Sequence, residues 1–107
     1  MTAHRAAVFL GLALGACART GPPAAATPEL VQLYNQTCRA CHTEPASGAP
    51  QAGDRRAWEA RLAQGSAVLL EHTIDGYRGM PPLGSCMDCG EKEFRQLIEL
   101  MSGSRLE

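Results

Sequence analysis

Two thiols and an imidazole stand within five residues at Cys38-Arg39-Ala40-Cys41-His42. On one turn of helix, positions i, i+3 and i+4 share a face, so these three side chains converge on one object. The spacing C-x-x-C-H is the one that fastens a porphyrin covalently. Each thiol adds to a vinyl group as a thioether, and the neighbouring imidazole swings under the iron as its proximal ligand. A C-x-x-C metal or redox pair that happens to precede a histidine is the competing reading.

Residues 76–84 (GYRGMPPLG) hold the second group able to do chemistry. Met80 precedes Pro81, and a residue before proline is pushed out of the helical region into extended geometry. The double proline stiffens the next few residues. A thioether on a rigid, non-helical strap suits the opposite face of an iron porphyrin as its sixth ligand. Soft sulfur favours ferrous iron, and burial disfavours the extra charge of the ferric form, so both raise the reduction potential. Filling that position also keeps substrates off the metal. Met80 as mere packing is the alternative, the ordinary fate of methionine. Three competitors are weaker. His72 falls mid-helix between Glu71 and Thr73, Met87 lies between two cysteines, and Met101 falls on a helix face. None has the proline context of Met80.

Cys86-Met87-Asp88-Cys89 is the third group. In an exported chain, thiols this close are expected to oxidise to a short-loop disulfide. So small a loop gains little chain entropy, which leaves a local clamp between the methionine strap and the last helix. A reactive C-x-x-C pair would need a thioredoxin-like βαβ context, and the sequence offers none. Grouping Cys38, Cys41, Cys86 and Cys89 as a four-thiolate zinc site is another reading. The gap between those pairs exceeds that of common zinc ribbons.

The elements that must position these groups are set by the chain around them. His4 and Arg5 precede an apolar run, residues 6–16 (AAVFLGLALGA), too short to span a bilayer and suited to a secretory signal. Residues 14–17 (LGAC) resemble the lipobox of bacterial lipoproteins. That resemblance implies cleavage before Cys17, a lipidated Cys17 and a membrane anchor; ordinary signal cleavage would instead release a soluble periplasmic protein. Five cysteines is an odd number, and Cys17 is the one left without a role if it is not lipidated. Residues 17–28 are rich in Ala and Pro and read as a linker, reaching up to about 30 Å if extended.

The folded domain is expected over residues 29–107. Pro28 suits a helix start, and Leu30, Leu33, Tyr34 and Thr37 recur at helical spacing toward Cys38. Residues 44–54 are mostly turn formers. A short helix is expected over residues 55–64, stopped by Gly65, and another over 66–75, closed by Gly76. Residues 91–102 form the clearest amphipathic helix, with Phe94, Leu97, Ile98 and Met101 on one stripe and Gly103 as its stop. No segment alternates as a strand. The fold class is therefore all-α, with four to five short helices. A domain of about 90 residues buries only a modest core, and a covalent haem would supply the missing apolar mass.

Taken together, these residues resemble the small class I cytochromes c, most closely the bacterial cytochrome c5 type. The resemblance runs from about Glu29 to Ser102. It rests on Tyr34 four residues before Cys38-x-x-Cys41-His42, Gly48-Ala49-Pro50, Gly53-Asp54 with Trp58, Gly79-Met80-Pro81-Pro82, and the Cys86-x-x-Cys89 pair. It implies a cytochrome c fold around one covalent haem c, bound through Cys38 and Cys41, with His42 and Met80 as axial ligands. It further implies a carbonyl near Pro50 accepting the imidazole proton, which would fix the ring and tune the iron. Trp58, by the same resemblance, lies near the haem propionates. The family usually crosses its terminal helices at a glycine against an aromatic ring. Here Leu30 and Leu100 stand at those positions, at similar summed volume.

Charge excludes little else. The chain carries 10 basic and 11 acidic residues, with Lys92 the sole lysine, and no dense basic patch argues for nucleic acid. Arg55, Arg56, Arg61 and Arg78 could neutralise propionates or meet an acidic partner, or could form a solvated face. The reading is of a monomeric, membrane-tethered electron carrier with redox-protein partners on the periplasmic side of a bacterial membrane. No side chain is assigned to catalysis, since the cofactor carries the chemistry. A haem enzyme or ligand sensor, in which Met80 yields its place on the iron, is the principal alternative.

Overall fold

The computed structural model describes residues 22, 23 and 25–107; the expected signal, Cys17 and linker residues 18–21 and 24 lie outside the described residues. Thr27 begins the first helix, its hydroxyl accepting from the Leu30 N–H at 3.2 Å, with Pro28 at the position where a missing donor costs nothing. Helix α1 (Pro28–Leu33) runs without a break into a π turn (Tyr34–Cys38) and then α2 (Arg39–His42). The sequence pattern alone predicts ordinary α-helix through this stretch. Thr37 turns its hydroxyl onto the Leu33 carbonyl at 2.7 Å, and the backbone widens so that the Arg39 N–H reaches Tyr34 O five residues back. A single π turn of this kind inserts one residue and rotates the helix beyond it. Here it re-aims the Cys38–His42 turn relative to the Leu30 face.

A loop holding one 3₁₀ turn (Pro45–Ser47) leads to α3 (Arg55–Leu62), capped by the Asp54 carboxylate on the Ala57 N–H at 3.1 Å. The helix ends two residues before the expected Gln64, because the Gln64 and Gly65 N–H groups reach back only three residues, to Arg61 and Leu62. Helix α4 (Ser66–Asp75) is bounded by Gly65 and Gly76, both at positive φ, and α5 (Glu91–Ser102) ends at Gly103 in the left-handed region. These last two helices match the sequence reading residue for residue.

The core forms where α5 lies across α1, α3 and α4. Leu30, Trp58, Leu69, Leu70, Cys86, Phe94, Leu97, Ile98 and Met101 make one buried cluster, with Leu33, Tyr34, Leu83 and Leu100 at its margin. The terminal helices are thus in contact, with Leu30 inside the core and Leu100 at its edge. The C-terminal tail is tied down, its Leu106 N–H donating to the buried Glu99 carboxylate at 2.9 Å and Ser66 donating to the Glu107 carbonyl at 2.6 Å. Among the described residues there is no strand, only an isolated bridge between Tyr77 and Met80. The architecture is all-α. No described helix is long and apolar enough to cross a membrane.

Candidate functional site

Helical geometry sets Cys38, Cys41 and His42 on one turn and a half, Cys38 half-buried, Cys41 exposed and His42 only 6 % exposed. Burial pushes the Cys38 thiol up from its ordinary value, partly offset by the Thr37 hydroxyl 3.4 Å away. His42 is held from three sides. Its Nδ1 donates to the Pro50 carbonyl at 2.7 Å, its own carbonyl accepts from the Ala52 N–H at 2.7 Å, and its ring stacks on Trp58 with centroids 5.8 Å apart. With Nδ1 committed to a carbonyl, Nε2 is the nitrogen left for a metal.

The loop that carries Pro50 is braced in turn. Trp58, 4 % exposed, donates its indole N–H to the Gln51 carbonyl at 3.0 Å. The side-chain amide of Gln51 reaches the carbonyls of Cys41 (3.3 Å), Glu44 (3.1 Å) and Ala49 (3.0 Å). Gly53 donates to Met101 O at 2.8 Å, which hangs the loop from α5. Sequence reasoning misses Gln51, and no local pattern marks it. Its role arises only because the loop folds back over the Cys41–Glu44 turn.

Met80 lies in a chain of tight turns. Tyr77 and Met80 exchange both backbone bonds (3.1 and 2.9 Å), the Gly84 N–H donates to Pro81 O, and the Cys86 N–H to Leu83 O. The segment Pro82–Ser85, left-handed at Leu83 and Gly84, packs on α4 and on the π turn that carries Cys38, so strap and attachment motif are neighbours. Cys86 and Cys89 are joined as a disulfide whose Cys86 is 2 % exposed in the core. Two of the four thiols of the zinc-site reading are thereby consumed, and that reading does not stand. Among the competitors of Met80, His72 stacks its ring on Tyr77 with centroids 3.8 Å apart, Met101 is buried in the core, and Met87 is 79 % exposed.

Three of the four arginines singled out above make contacts within the protein. Arg61 donates to its own helix at Ala57 O, Arg78 lies over the Tyr77 ring at 5.2 Å, and Arg55 sits beside Gly103 at the α5 terminus. The donor set fits an iron porphyrin: two unpaired thiols, a ring nitrogen left over on an oriented imidazole, and an adjacent strap bearing a thioether.

Comparison with known proteins agrees with this chemistry. Residues 25–101 match the family model described as cytochrome c oxidase, cbb3-type, subunit III. Cytochrome c5 of Ectopseudomonas mendocina is 41% identical over 68 residues, which span 62% of this chain and 78% of that protein. Cytochrome c-555 of Chlorobaculum tepidum is 34% identical over 74 residues, 65% of this chain and 68% of that one. Among solved structures, the mono-heme ferrocytochrome c from Shewanella putrefaciens superposes with a TM-score of 0.63 at 36% identity, covering 71% of this chain and 94% of that one. A chain from an electron transfer complex of nitrite reductase with cytochrome c gives a TM-score of 0.62 at 34% identity, covering 71% and 93%. Members of this family bind one covalently attached haem c. By fold, motif and sequence, the chain belongs to the cytochrome c family covered by that model, as a monohaem c-type cytochrome of electron transfer.

Proposed function

We propose that the chain is an exported, membrane-tethered one-electron carrier, with haem c bound through Cys38 and Cys41 and its iron held between His42 and Met80. The observation that carries the ligand assignment is the 2.7 Å bond from His42 Nδ1 to the Pro50 carbonyl, which leaves Nε2 as the only ring nitrogen free to bind metal. When bound, the haem supplies the one-electron chemistry. The protein's part is to hold the ligand set unchanged in both oxidation states. Pro50, Trp58 and Gln51 orient the imidazole, and the strap with its disulfide offers the thioether from a segment that cannot easily swing away. The chain acts as a carrier, a reading supported by the cytochromes c it resembles.

Export and anchoring rest on the sequence: an apolar run at residues 6–16, the LGAC pattern, and an odd cysteine at position 17. Residues 1–16 act as the signal, 17–28 as lipid-bearing linker, and 29–107 as the haem domain, a monomer on the periplasmic side of a bacterial membrane. Its partners are redox proteins, a reading supported by the neighbour found in an electron transfer complex with nitrite reductase.

The optical spectrum of the ferric protein tests the ligand pair. A sulfur-to-iron charge-transfer band is expected in the wild type and in His72→Ala, and its loss in Met80→Leu. A ferric wild type without that band, or a ferrous form that takes up carbon monoxide at neutral pH, would instead favour the enzyme or sensor reading.

A further inference from the structure

We propose that Gly84 is a positioning residue for Met80, a seat without a side chain that sets where the thioether methyl lies and hence which way the sulfur lone pair faces. The proposal rests on the reading of Met80 as sixth ligand and deepens it. Left-handed backbone is concentrated around this methionine. Arg78 (φ 51°), Leu83 (φ 60°) and Ser85 (φ 62°), the non-glycine residues at positive φ among those described, all lie between residues 76 and 85, together with Gly76 (φ 87°) and Gly84 (φ 54°). Side chains crowd the following carbonyl in that region, so such residues persist only where the surroundings impose them, and they gather at ligand clamps.

The surroundings here are explicit. The Tyr77–Met80 pair fixes one end of the strap, the Pro81–Gly84 and Leu83–Cys86 bonds fix its middle, and the buried half of the disulfide fixes the far end. Two glycines then bracket Met80. A Cβ at Gly76 would stand 3.1 Å from the Met80 carbonyl oxygen and 3.0 Å from Pro82 N, so glycine there admits the Met80 backbone. A Cβ at Gly84 would stand 3.2 Å from Met80 Cε, inside the usual carbon–carbon contact of about 3.5–4.0 Å, so glycine there admits the methyl. A thioether sulfur bears only a methylene and a methyl. Gly84 bounds where the second can lie, and with it the range of directions open to the lone pairs. A methyl added at position 84 must push the Met80 methyl aside by a few tenths of an ångström.

The test uses the full-length holoprotein. In Gly84→Ala the ferric charge-transfer band should weaken or move. Added imidazole competes with Met80 for iron, and its apparent affinity is set by the fraction of molecules in which the methionine is off. That affinity should rise about tenfold as the open fraction grows. Gly103→Ala is the control, since Gly103 is also left-handed (φ 68°) but a Cβ there would meet only Arg55, at 3.9 Å. It should leave both readings at wild-type values. Gly84→Ala behaving as wild type, or Gly103→Ala moving both readings equally, would overturn the proposal. Should Gly84→Ala fail to mature, the ferrous wild type decides by proton NMR: a nuclear Overhauser contact between the Met80 methyl and the Gly84 α protons is required, and its absence refutes the seat. A wild type with no charge-transfer band refutes Met80 ligation itself, an outcome separable from all of these.

Discussion

The two ring nitrogens of His42 differ in their surroundings: Nδ1 is bonded to the Pro50 carbonyl, and under the proposed ligation Nε2 would take the iron. A donor bond from Nδ1 makes the ring more basic and favours ferric iron. Gln51 bears on that bond, since its amide holds the Pro50 loop against the Cys41–Glu44 turn. In Gln51→Leu the loop should drift and the bond to Pro50 weaken, by about 1 kcal/mol in favour of the ferrous form. For one electron this is a rise of about 40 mV in reduction potential, measurable by spectroelectrochemistry. An unchanged potential would mean that the amide merely decorates the loop. This residue also marks the limit of what the sequence discloses. His42, Cys38 and Cys41 are legible because their chemistry follows from spacing along one helix. Gln51 is not, because its three acceptors come from a fold-back that no periodicity encodes.

Among the elements, legibility tracks the strength of the local signal. Helices α4 and α5 lie between glycines, and those at Gly65, Gly76 and Gly103 have the positive φ that stops a helix wherever it occurs, so these ends can be read directly. The π turn at Tyr34–Cys38 cannot, because widening the helix by one residue leaves no mark of its own in the apolar spacing of this stretch. The start of α5 offers a pH test. Gly90 has no side chain to cap the helix, and its N–H donates to the Glu93 carboxylate at 2.9 Å. That bond, followed by the Glu93 amide and Lys92, holds the Glu93 carboxyl below its ordinary value. A carboxyl depressed by folding stabilises fully above its unfolded pKa, and the gain is lost as pH falls through the lower folded value. Glu93→Gln should therefore unfold at a lower temperature than wild type near neutrality. The two should converge in acid below the carboxylate range. A difference that persists at low pH would assign the effect to packing.

At the scale of the whole molecule, a small helical domain is organised around one covalent haem, and the proposal adds a linker that carries it. The core cluster is short of large aromatic side chains, with Trp58 and Phe94 alone fully inside it. An apolar porphyrin packed on both faces answers that shortage, which is why a composition promising only a marginal fold still reads as a stable class. Anchoring belongs to this scale as well. Two or more acyl chains on Cys17 would hold the protein to a membrane durably. Cys17→Ser, expressed with its own leader in a bacterium that matures c-type haem, should move the haem protein from the membrane pellet to the soluble fraction while leaving its spectrum unaltered. A wild type already soluble would remove the tether from the account and leave the carrier intact. The most direct test of the carrier itself is an optical redox titration of the intact haem protein. The account predicts one reversible transition with the slope of a single electron, low-spin spectra at both ends, and no response of the ferrous form to carbon monoxide. A protein without colour, a high-spin spectrum in either state, or ready uptake of carbon monoxide would contradict it.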